Sequence, residues 1–226
     1  MIKEFIKHLL YLTPRINTQY ECNSEHYGSS YGGWVVCPDY LSKDSIIYSF
    51  GVGKDISFDI SLIHRFNCSV YGFDPTPKSI EWINKQELPS NYHFYPIGIS
   101  NKDGSEKFKF PSNPDHVSFK IAGDVKENTS VIECPVKRIS TIMYELGHDW
   151  VDVVKLDVEG AEFNVLNDMM KSNIFPKQIL VEFHYKLDKD LIEKTELIVK
   201  DVLFRHGYRA FYCSPSNQEI SFIKKF

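Results

Sequence analysis

The sequence predicts an α/β protein whose mostly parallel sheet is covered by helices on both faces. Short, nearly continuous apolar runs alternate along the chain with segments of helical periodicity, and this alternation is typical of parallel strands buried on both sides. Two further β-like runs flank a Pro-Ser-Asn turn near the C-terminus, which predicts a closing antiparallel hairpin. The 226 residues suffice for one such domain.

Each element follows from its local pattern. An N-terminal helix, ended by Pro14, and a connecting segment occupy residues 1–30, and the domain itself spans residues 31–226. Helices are predicted after the first strand, from Thr76, from about Glu159, and over the segment that Gly207 ends. The stretch 98–140, rich in turn-forming residues, is predicted to be a long insertion. The strands are predicted at residues 46–50, 70–73, 92–95, 151–156, 179–183, 209–214 and 219–224.

Composition excludes several classes of protein. The formal net charge is −4 and the basic residues are scattered among acidic ones, which argues against a nucleic-acid partner. Five cysteines without a CxxC pair indicate free thiols in a reducing compartment, not a disulfide framework or a thiolate zinc site. No apolar run approaches the ~20 residues of a membrane span. We therefore expect a soluble cytoplasmic protein.

A glycine turn after the first strand is a candidate nucleotide site. Gly51-Val52-Gly53 joins this strand to a helix, and Asp74 ends the next strand 21 residues after Gly53. Glycines permit a tight turn and a close approach of the backbone to a ligand. An acidic residue about 20 positions further along commonly binds ribose hydroxyls. The pair predicts a nucleotide at the carboxyl edge of the sheet; the alternative is a plain turn with a helix-capping aspartate.

The residues after the turn discriminate between nucleotides. A dinucleotide-binding turn carries glycine or alanine three positions after its second glycine, where this chain has Ile56. The carboxylate of Asp55 would also repel a pyrophosphate. A carboxylate is better matched to a ligand with an ammonium and a sulfonium. The pattern therefore favours S-adenosylmethionine over NAD as the cofactor.

Two later strands end in ionisable residues. Lys155 and Asp157 share one face at the end of the fourth strand, with Glu159 and Glu162 after them, and Glu182 and His184 share a face at the end of the fifth. Such groups are costly at a sheet edge unless they are paired or functional. The candidate catalytic set is Asp157, Glu159, Glu182 and His184. His184 could accept the proton of a substrate hydroxyl, or Asp157, Glu182 and His184 could bind a divalent metal that acidifies it. The structural alternative is a helix N-terminus favoured by acidic side chains and a hydrogen-bonded loop histidine.

The insertion also carries candidate residues. His116 and Ser118 lie within it, and loops of this kind often cover active sites. We predict that both contact the substrate; the alternative for His116 is a solvated loop position.

Four segments resemble the FkbM-type family of class I methyltransferases. The most specific is Val-Val-Lys-Leu-Asp-Val-Glu-Gly-Ala-Glu at residues 153–162, and residues 48–53, 73–76 and 181–184 are similar to the corresponding family segments. The resemblance covers roughly residue 31 to the C-terminus. It implies a Rossmann-like, seven-stranded, mostly parallel sheet with a reversed C-terminal hairpin. It also implies methyl transfer from S-adenosylmethionine to a hydroxyl of a sugar, glycan, polyketide or other small natural product.

The resemblance implies roles by position. The glycine turn would approach the methionine part of the cofactor, Asp74 the ribose and residues 98–100 the adenine, while Asp157 would face the sulfonium. Many class I enzymes begin the glycine motif with an acidic residue that this chain lacks, so Asp55 or the segment 31–33 would meet the charged end of the cofactor. The implied cofactor-binding residues are Tyr31, Gly33, Gly51, Val52, Gly53, Asp55, Asp74, Pro75, Gly98, Ile99, Ser100 and Asp157.

Two other classes of protein stay open as alternatives. One is a nicotinamide-dependent oxidoreductase, and the other is a non-catalytic domain that keeps the fold. The ionisable strand ends favour an enzyme over the latter, because an inactive relative would have no reason to keep them together. The acceptor, a metal requirement and the oligomeric state are also open from the sequence.

Overall fold

The computed structural model describes residues 13–109, 120–121, 131–185 and 188–225. The predicted N-terminal helix and the candidate substrate residues His116 and Ser118 lie outside them.

The α-helices are α1 Ser57–Phe66, α2 Pro77–Ile83, α3 Ile139–Leu146, α4 Glu162–Lys171 and α5 Lys189–Leu197, which continues as a π-helical segment, Ile198–Phe204. The strands are β1 Glu25–Tyr27, β2 Trp34–Val36, β3 Ile46–Phe50, β4 Ser69–Phe73, β5 Tyr92–Tyr95, β6 Gly98–Ile99, β7 Gly104–Lys109, β8 Lys120–Ile121, β9 Val131–Lys137, β10 Val153–Leu156, β11 Gln178–Glu182, β12 Tyr208–Cys213 and β13 Glu219–Lys224. None of the helices in these ranges has both the length and the apolar character needed to cross a bilayer.

Seven strands form the central sheet in the order β12-β13-β11-β10-β3-β4-β5. Neighbours are parallel except around β13, which runs antiparallel to both β11 and β12. The chain order reverses between β3 and β10, because β3 leads to β4 on one side and β10 to β11 on the other. Open α/β sheets bind ligands at such a switch point. The predicted fold class, with its antiparallel C-terminal hairpin, is confirmed.

Strand β3 shows how the sheet buries both faces. Tyr48 and Phe50 belong to one apolar cluster, which extends over α3, α4 and the π-helical segment. Ile47 belongs to a second cluster, which includes the apolar face of α1. All three side chains are almost completely buried. Because neither face is solvated, the strand is an almost unbroken apolar run in the sequence.

Two smaller sheets accompany the central one. β1 and β2 form a short antiparallel hairpin. Strands of three residues are too short to show a period in the sequence. The described part of the insertion forms a four-stranded sheet in the order β6-β9-β7-β8. Both sheets border the carboxyl edge of the central sheet, where they contribute side chains to the cavities described below.

The predicted start of the helix after β10 is wrong. This helix begins at Glu162, not near Glu159. Glu159 and Gly160 have φ values of 51° and 109°, and a backbone in this left-handed region cannot continue a right-handed helix. A turn therefore separates β10 from α4, and it lies at the carboxyl edge of the sheet.

Candidate active site

A cavity of about 400 Å³ lies at the carboxyl ends of β3, β4, β10 and β11. Asp74 and Gly98 line one end of it, which we call the Asp74 end. Asp157, Glu182 and His184 line the other, which we call the His184 end. The glycine turn lies between them. The fold therefore brings the predicted nucleotide site and the ionisable strand ends to one cavity.

The glycine turn is held against β10. Gly51 has a φ of 77° and Gly53 a φ of 56°, a region that glycine occupies without strain. A Cβ on Gly51 would lie 1.7 Å from the carbonyl oxygen of Asp157. Lys155 Nζ donates hydrogen bonds to the carbonyl oxygens of Gly51 at 2.7 Å and Phe50 at 3.3 Å. The close approach that requires glycine here is thus between two backbone segments of the protein itself.

Asp74 connects the glycine turn to the end of β4. Its Oδ2 accepts a hydrogen bond from the backbone N of Gly53 at 2.9 Å, and its Oδ1 accepts from the backbone N and Oγ1 of Thr76 at 2.9 and 2.6 Å. Burial raises the pKa of Asp74 above its ordinary value, although these hydrogen bonds oppose the shift. Thr76 precedes α2 as predicted, but its hydroxyl binds Asp74 and Ser79 and does not cap the helix.

Asp55 fastens the loop between β1 and β2 to the start of α1. Its Oδ2 accepts a hydrogen bond from Ser29 Oγ at 2.5 Å, and its Oδ1 accepts from the backbone N of Ser57 at 2.8 Å. Burial would raise the pKa of Asp55, but these hydrogen bonds and the charge of Lys155 lower it below its ordinary value. The loop carries Tyr31, which is 87% exposed at the cavity mouth. Asp55 therefore remains ionised while holding this loop over the cavity.

Ten of the residues that the resemblance implies for the cofactor line this cavity, and two do not. Gly33 lines a neighbouring cavity, where a Cβ would lie 2.3 Å from His26 Cε1. Ser100 is buried away from the cavity wall, and its backbone N donates to the carbonyl oxygen of Lys137 at 3.0 Å. The residues that line the cavity are Tyr31, Gly51, Val52, Gly53, Asp55, Asp74, Pro75, Gly98, Ile99 and Asp157.

His184 stands among four carboxylates. Its Nδ1 lies 2.6 Å from Oε1 of Glu162, which is fully buried at the start of α4 and also accepts from the backbone N of Gly160. Its Nε2 lies 3.7 to 3.8 Å from carboxylate oxygens on Asp157, Glu159 and Glu182. Glu159 reaches this position through its left-handed backbone conformation. Such conformations in non-glycine residues cluster at functional sites.

The carboxylates set the protonation of the cluster. Burial would lower the pKa of His184, but Glu162, Glu159 and Glu182 outweigh it and raise the pKa to about 9. Burial and the charge of Asp157 raise the pKa of Glu182 to about 8, with a further contribution from Glu219. At neutral pH the imidazole is therefore a cation and Glu182 holds a proton. The cluster is poised to exchange protons within a few pH units of neutrality.

The same residues could hold a metal ion. Asp157, Glu182 and His184 each offer one ligand atom, and these atoms lie within 4.8 Å of one another. One imidazole nitrogen and two carboxylate oxygens suit several divalent metals. The hydrogen bond between His184 and Glu162 has the geometry by which carboxylates orient metal-binding histidines. The arrangement is therefore compatible with both hypotheses drawn from the sequence, a histidine base and a bound divalent metal.

Three residues of the site are not among the predicted site residues, although Lys155 and Glu162 belong to the ionisable groups that the sequence shows at and after the fourth strand. Lys155 positions the glycine turn, Glu162 orients His184, and Glu219 lines the His184 end of the cavity. Lys155 and Glu162 carried a usable signal, because both lie in the segment that resembles the family motif. No signal in the sequence indicated Glu219, because its position beside Glu182 depends on the pairing of β13 with β11.

The sheet order and the position of the cavity define the fold of the class I methyltransferases. The chain belongs to the family of the methyltransferase FkbM domain, whose model matches residues 36–210. The resemblance seen in the sequence is thereby confirmed.

Curated relatives and a solved structure are similar to this chain. The "Probable methyltransferase-like protein 24" of Homo sapiens is 26% identical over 185 residues, which cover 74% of this chain and 44% of the relative. The Rattus norvegicus protein of that name is 26% identical and covers 67% of this chain and 38% of the relative. The chain thus spans less than half the length of these relatives. An rRNA methylase from Streptococcus thermophilus aligns with a TM-score of 0.43 and 10% identity, over 83% of this chain and 91% of its own.

Proposed function

We propose that the protein transfers a methyl group from S-adenosylmethionine to a hydroxyl of a sugar, a glycan or another small natural product. The observation that carries this proposal is the position of His184. Its ring lies at one end of a cavity whose other end has the residues expected for a nucleoside, and Glu162 fixes its orientation. A base at this place is what transfer to a hydroxyl requires.

The charges of the cavity wall fit this cofactor. The cavity wall carries the carboxylate of Asp55, the carboxylate of Asp157 at the His184 end, and the ammonium of Lys155, whose Nζ lies 3.8 Å from Asp157 Oδ2. The methionine part of the cofactor carries an ammonium, a carboxylate and a sulfonium. The two aspartates would attract its positive groups, and Lys155 would attract its carboxylate. A pyrophosphate would instead meet two carboxylates, which argues against a nicotinamide dinucleotide.

The proposed reaction assigns separate tasks to His184 and Glu162. S-adenosylmethionine supplies an electrophilic methyl group on its sulfonium. The acceptor oxygen would gain this methyl group as the methyl carbon–sulfur bond breaks and S-adenosylhomocysteine leaves, and the proton of the acceptor hydroxyl would pass to Nε2 of His184. The reactive form is the neutral ring, whose fraction grows as the pH rises towards 9. In that form Glu162 accepts the hydrogen bond from Nδ1–H, which leaves Nε2 unprotonated towards the cavity, and the same carboxylate stabilises the imidazolium that forms. The protein otherwise acts by aligning the two reactants.

Replacing Glu162 by glutamine is expected to shift the pH profile of the reaction. With a pKa of about 9, His184 accepts a proton more readily as the pH rises, so the wild-type rate should increase up to about pH 9. Loss of the Glu162 charge lowers the pKa of His184 and should move this limb of the profile to lower pH by roughly one unit or more. The measurement is kcat between pH 6 and 10 with saturating cofactor.

A second variant controls for loss of charge on the same helix. Asp168 on α4 binds Arg138 at 2.8 Å and is remote from the cavity wall. The variant Asp168→Asn should keep the wild-type profile. An unshifted profile in Glu162→Gln would remove Glu162 as the residue that sets the pKa of His184.

The proposed function is tested by calorimetry with S-adenosylhomocysteine and NADH. S-adenosylhomocysteine should bind saturably. The variant Asp74→Ala should lower its affinity by roughly 10- to 100-fold, because buried hydrogen bonds to a charged group are lost. The exposed Asp44 gives the matched control Asp44→Ala, which should bind as the wild type does. Saturable binding of NADH alone would overturn the proposal. Transfer of a labelled methyl group into an extract of the native cell, with and without EDTA, then distinguishes a metal-free base from a metal site.

A further inference from the structure

A second cavity, of about 220 Å³, adjoins the first. The two share Ser30, Tyr31, Asp157, Glu182 and Glu219, of which Asp157 and Glu182 line the His184 end and Glu219 lies beside Glu182. Neither Asp74 nor the rest of the Asp74 end lines the second cavity. It therefore lies apart from the Asp74 end and adjoins the His184 end, where the methyl group would be transferred, beside the segment 31–33.

Two hairpins form the walls of this second cavity. The loop and strand after β1 contribute Tyr31 and Trp34, and the C-terminal hairpin contributes Tyr212 and Glu219. Asp55 anchors the first hairpin through Ser29. In contrast, the described part of the insertion reaches the first cavity with residues such as Gly98 and Phe108, on the side of the Asp74 end. The two ends of the site are thus built by different parts of the chain.

The second cavity has a negative wall. Asp157, Glu182 and Glu219 line it, and its described lining includes neither Lys nor Arg. The first cavity, in contrast, includes Lys54 and Lys155. An anionic molecule that entered the second cavity would leave water to face Glu219 and the acidic oxygens of Asp157 and Glu182, whose charge the neighbouring His184 and Lys155 offset only in part. A neutral molecule with hydroxyl donors, or a cation, would meet acceptors that suit it.

Glu182 and Glu219 present their carboxyl groups side by side to the second cavity. They are direct partners across the antiparallel pair β11–β13, and both side chains are partly exposed to the cavities. A molecule in the second cavity could therefore donate hydrogen bonds to both carboxyl groups.

Aromatic side chains complete the cavity. Tyr31 is 87% exposed at the mouth of the cavity. Tyr212, which is half-buried, lines the cavity from the opposite hairpin. Rings of this kind offer an apolar face together with a polar hydroxyl. The wall thus combines flat apolar surfaces with hydrogen-bond acceptors.

We propose that the second cavity is the acceptor subsite, and that its carboxyl groups select an uncharged or cationic hydroxylated acceptor against an anionic one. This inference rests on the proposed function, because the cavity is an acceptor subsite only if methyl transfer takes place at the His184 end. It adds the location of the subsite and the charge of the molecule that it binds.

The test uses three cyclic polyols that differ in charge: methyl glucoside, its 2-amino derivative and methyl glucuronide. Each is titrated into the protein saturated with S-adenosylhomocysteine, and binding is followed by saturation-transfer NMR. The neutral and amino probes should bind saturably and the glucuronide at least about tenfold more weakly, the effect of one unfavourable charge contact. The variant Glu219→Lys should reverse the preference in favour of the glucuronide by a similar factor.

A matched charge reversal serves as the control. Glu193 is exposed on α5 and lines neither cavity, so Glu193→Lys should keep the wild-type order of the three probes. The inference is overturned by equal binding of glucuronide and glucoside, by an unchanged order in Glu219→Lys, or by no saturable binding of any probe. Binding of S-adenosylhomocysteine is measured separately in every variant. If the wild-type protein does not bind S-adenosylhomocysteine, the proposed function is rejected instead.

Discussion

Replacing His184 by glutamine is expected to lower the rate of methyl transfer by about 10²- to 10⁴-fold, the usual contribution of a general base. Glutamine has similar reach and can still bind Glu162, but it cannot accept a proton near neutral pH. Affinity for S-adenosylhomocysteine should stay close to that of the wild type, because His184 lies at the end of the cavity opposite Asp74. The measurements are kcat with a labelled methyl group and calorimetry with S-adenosylhomocysteine.

A surface histidine supplies the control. His64 is exposed on α1, and His64→Gln should retain the wild-type rate and affinity. Unchanged turnover in His184→Gln would exclude His184 as the base. Loss of S-adenosylhomocysteine binding in that variant would assign His184 to the cofactor instead.

Replacing Gly51 by alanine is expected to destabilise the protein by about 2–5 kcal/mol and to abolish cofactor binding. Two penalties act together. The φ of 77° strains any residue with a Cβ, and that Cβ would lie 1.7 Å from the carbonyl oxygen of Asp157. To relieve this contact, the glycine turn and the end of β10 must separate, and this movement displaces Lys155 and Asp157. Urea unfolding measures the loss of stability, and calorimetry with S-adenosylhomocysteine measures the loss of the site.

Gly147 separates the two penalties. It has a φ of 69°, and a Cβ built on it meets nothing within 4 Å. Gly147→Ala should therefore cost only about 1 kcal/mol, the price of the left-handed backbone alone. An equal loss of stability in the two variants would show that the approach of Asp157 to Gly51 has no energetic weight.

The fold could be predicted because its signals are local. β3, β5 and β13 lie where the sequence places them, since strands buried on both faces leave apolar runs bounded by turn residues. The hairpin of β1 and β2 could not be predicted, because its three-residue strands are too short to show a period and are stabilised by packing and by contacts such as that between Ser29 and Asp55. The start of α4 was placed too early because its sequence does not reveal the left-handed backbone at Glu159.

The candidate site could be predicted in part for a related reason. Parallel strands present their carboxyl ends at one edge, so Gly51, Asp74, Asp157 and His184 could be expected to lie near one cavity before the structure was known. The individual contacts of these residues could not be predicted. The carboxylate of Asp55 binds Ser29 and Ser57, and Asp74 binds Gly53 and Thr76; these bonds depend on loops whose paths the sequence does not specify.

The sequence by itself determined the order of strands and helices, the glycine turn and the family, because each depends on residues that are neighbours along the chain. Only the tertiary structure decided which groups meet. It brought Glu162 to Nδ1 of His184 across 22 positions of the chain, and Glu219 opposite Glu182 through the antiparallel strand β13. Hydrogen bonds and charge interactions act over a few ångströms in space, whatever the separation in sequence. The chemistry of the site is therefore set by how the sheet is assembled, while the elements that form the sheet are set locally.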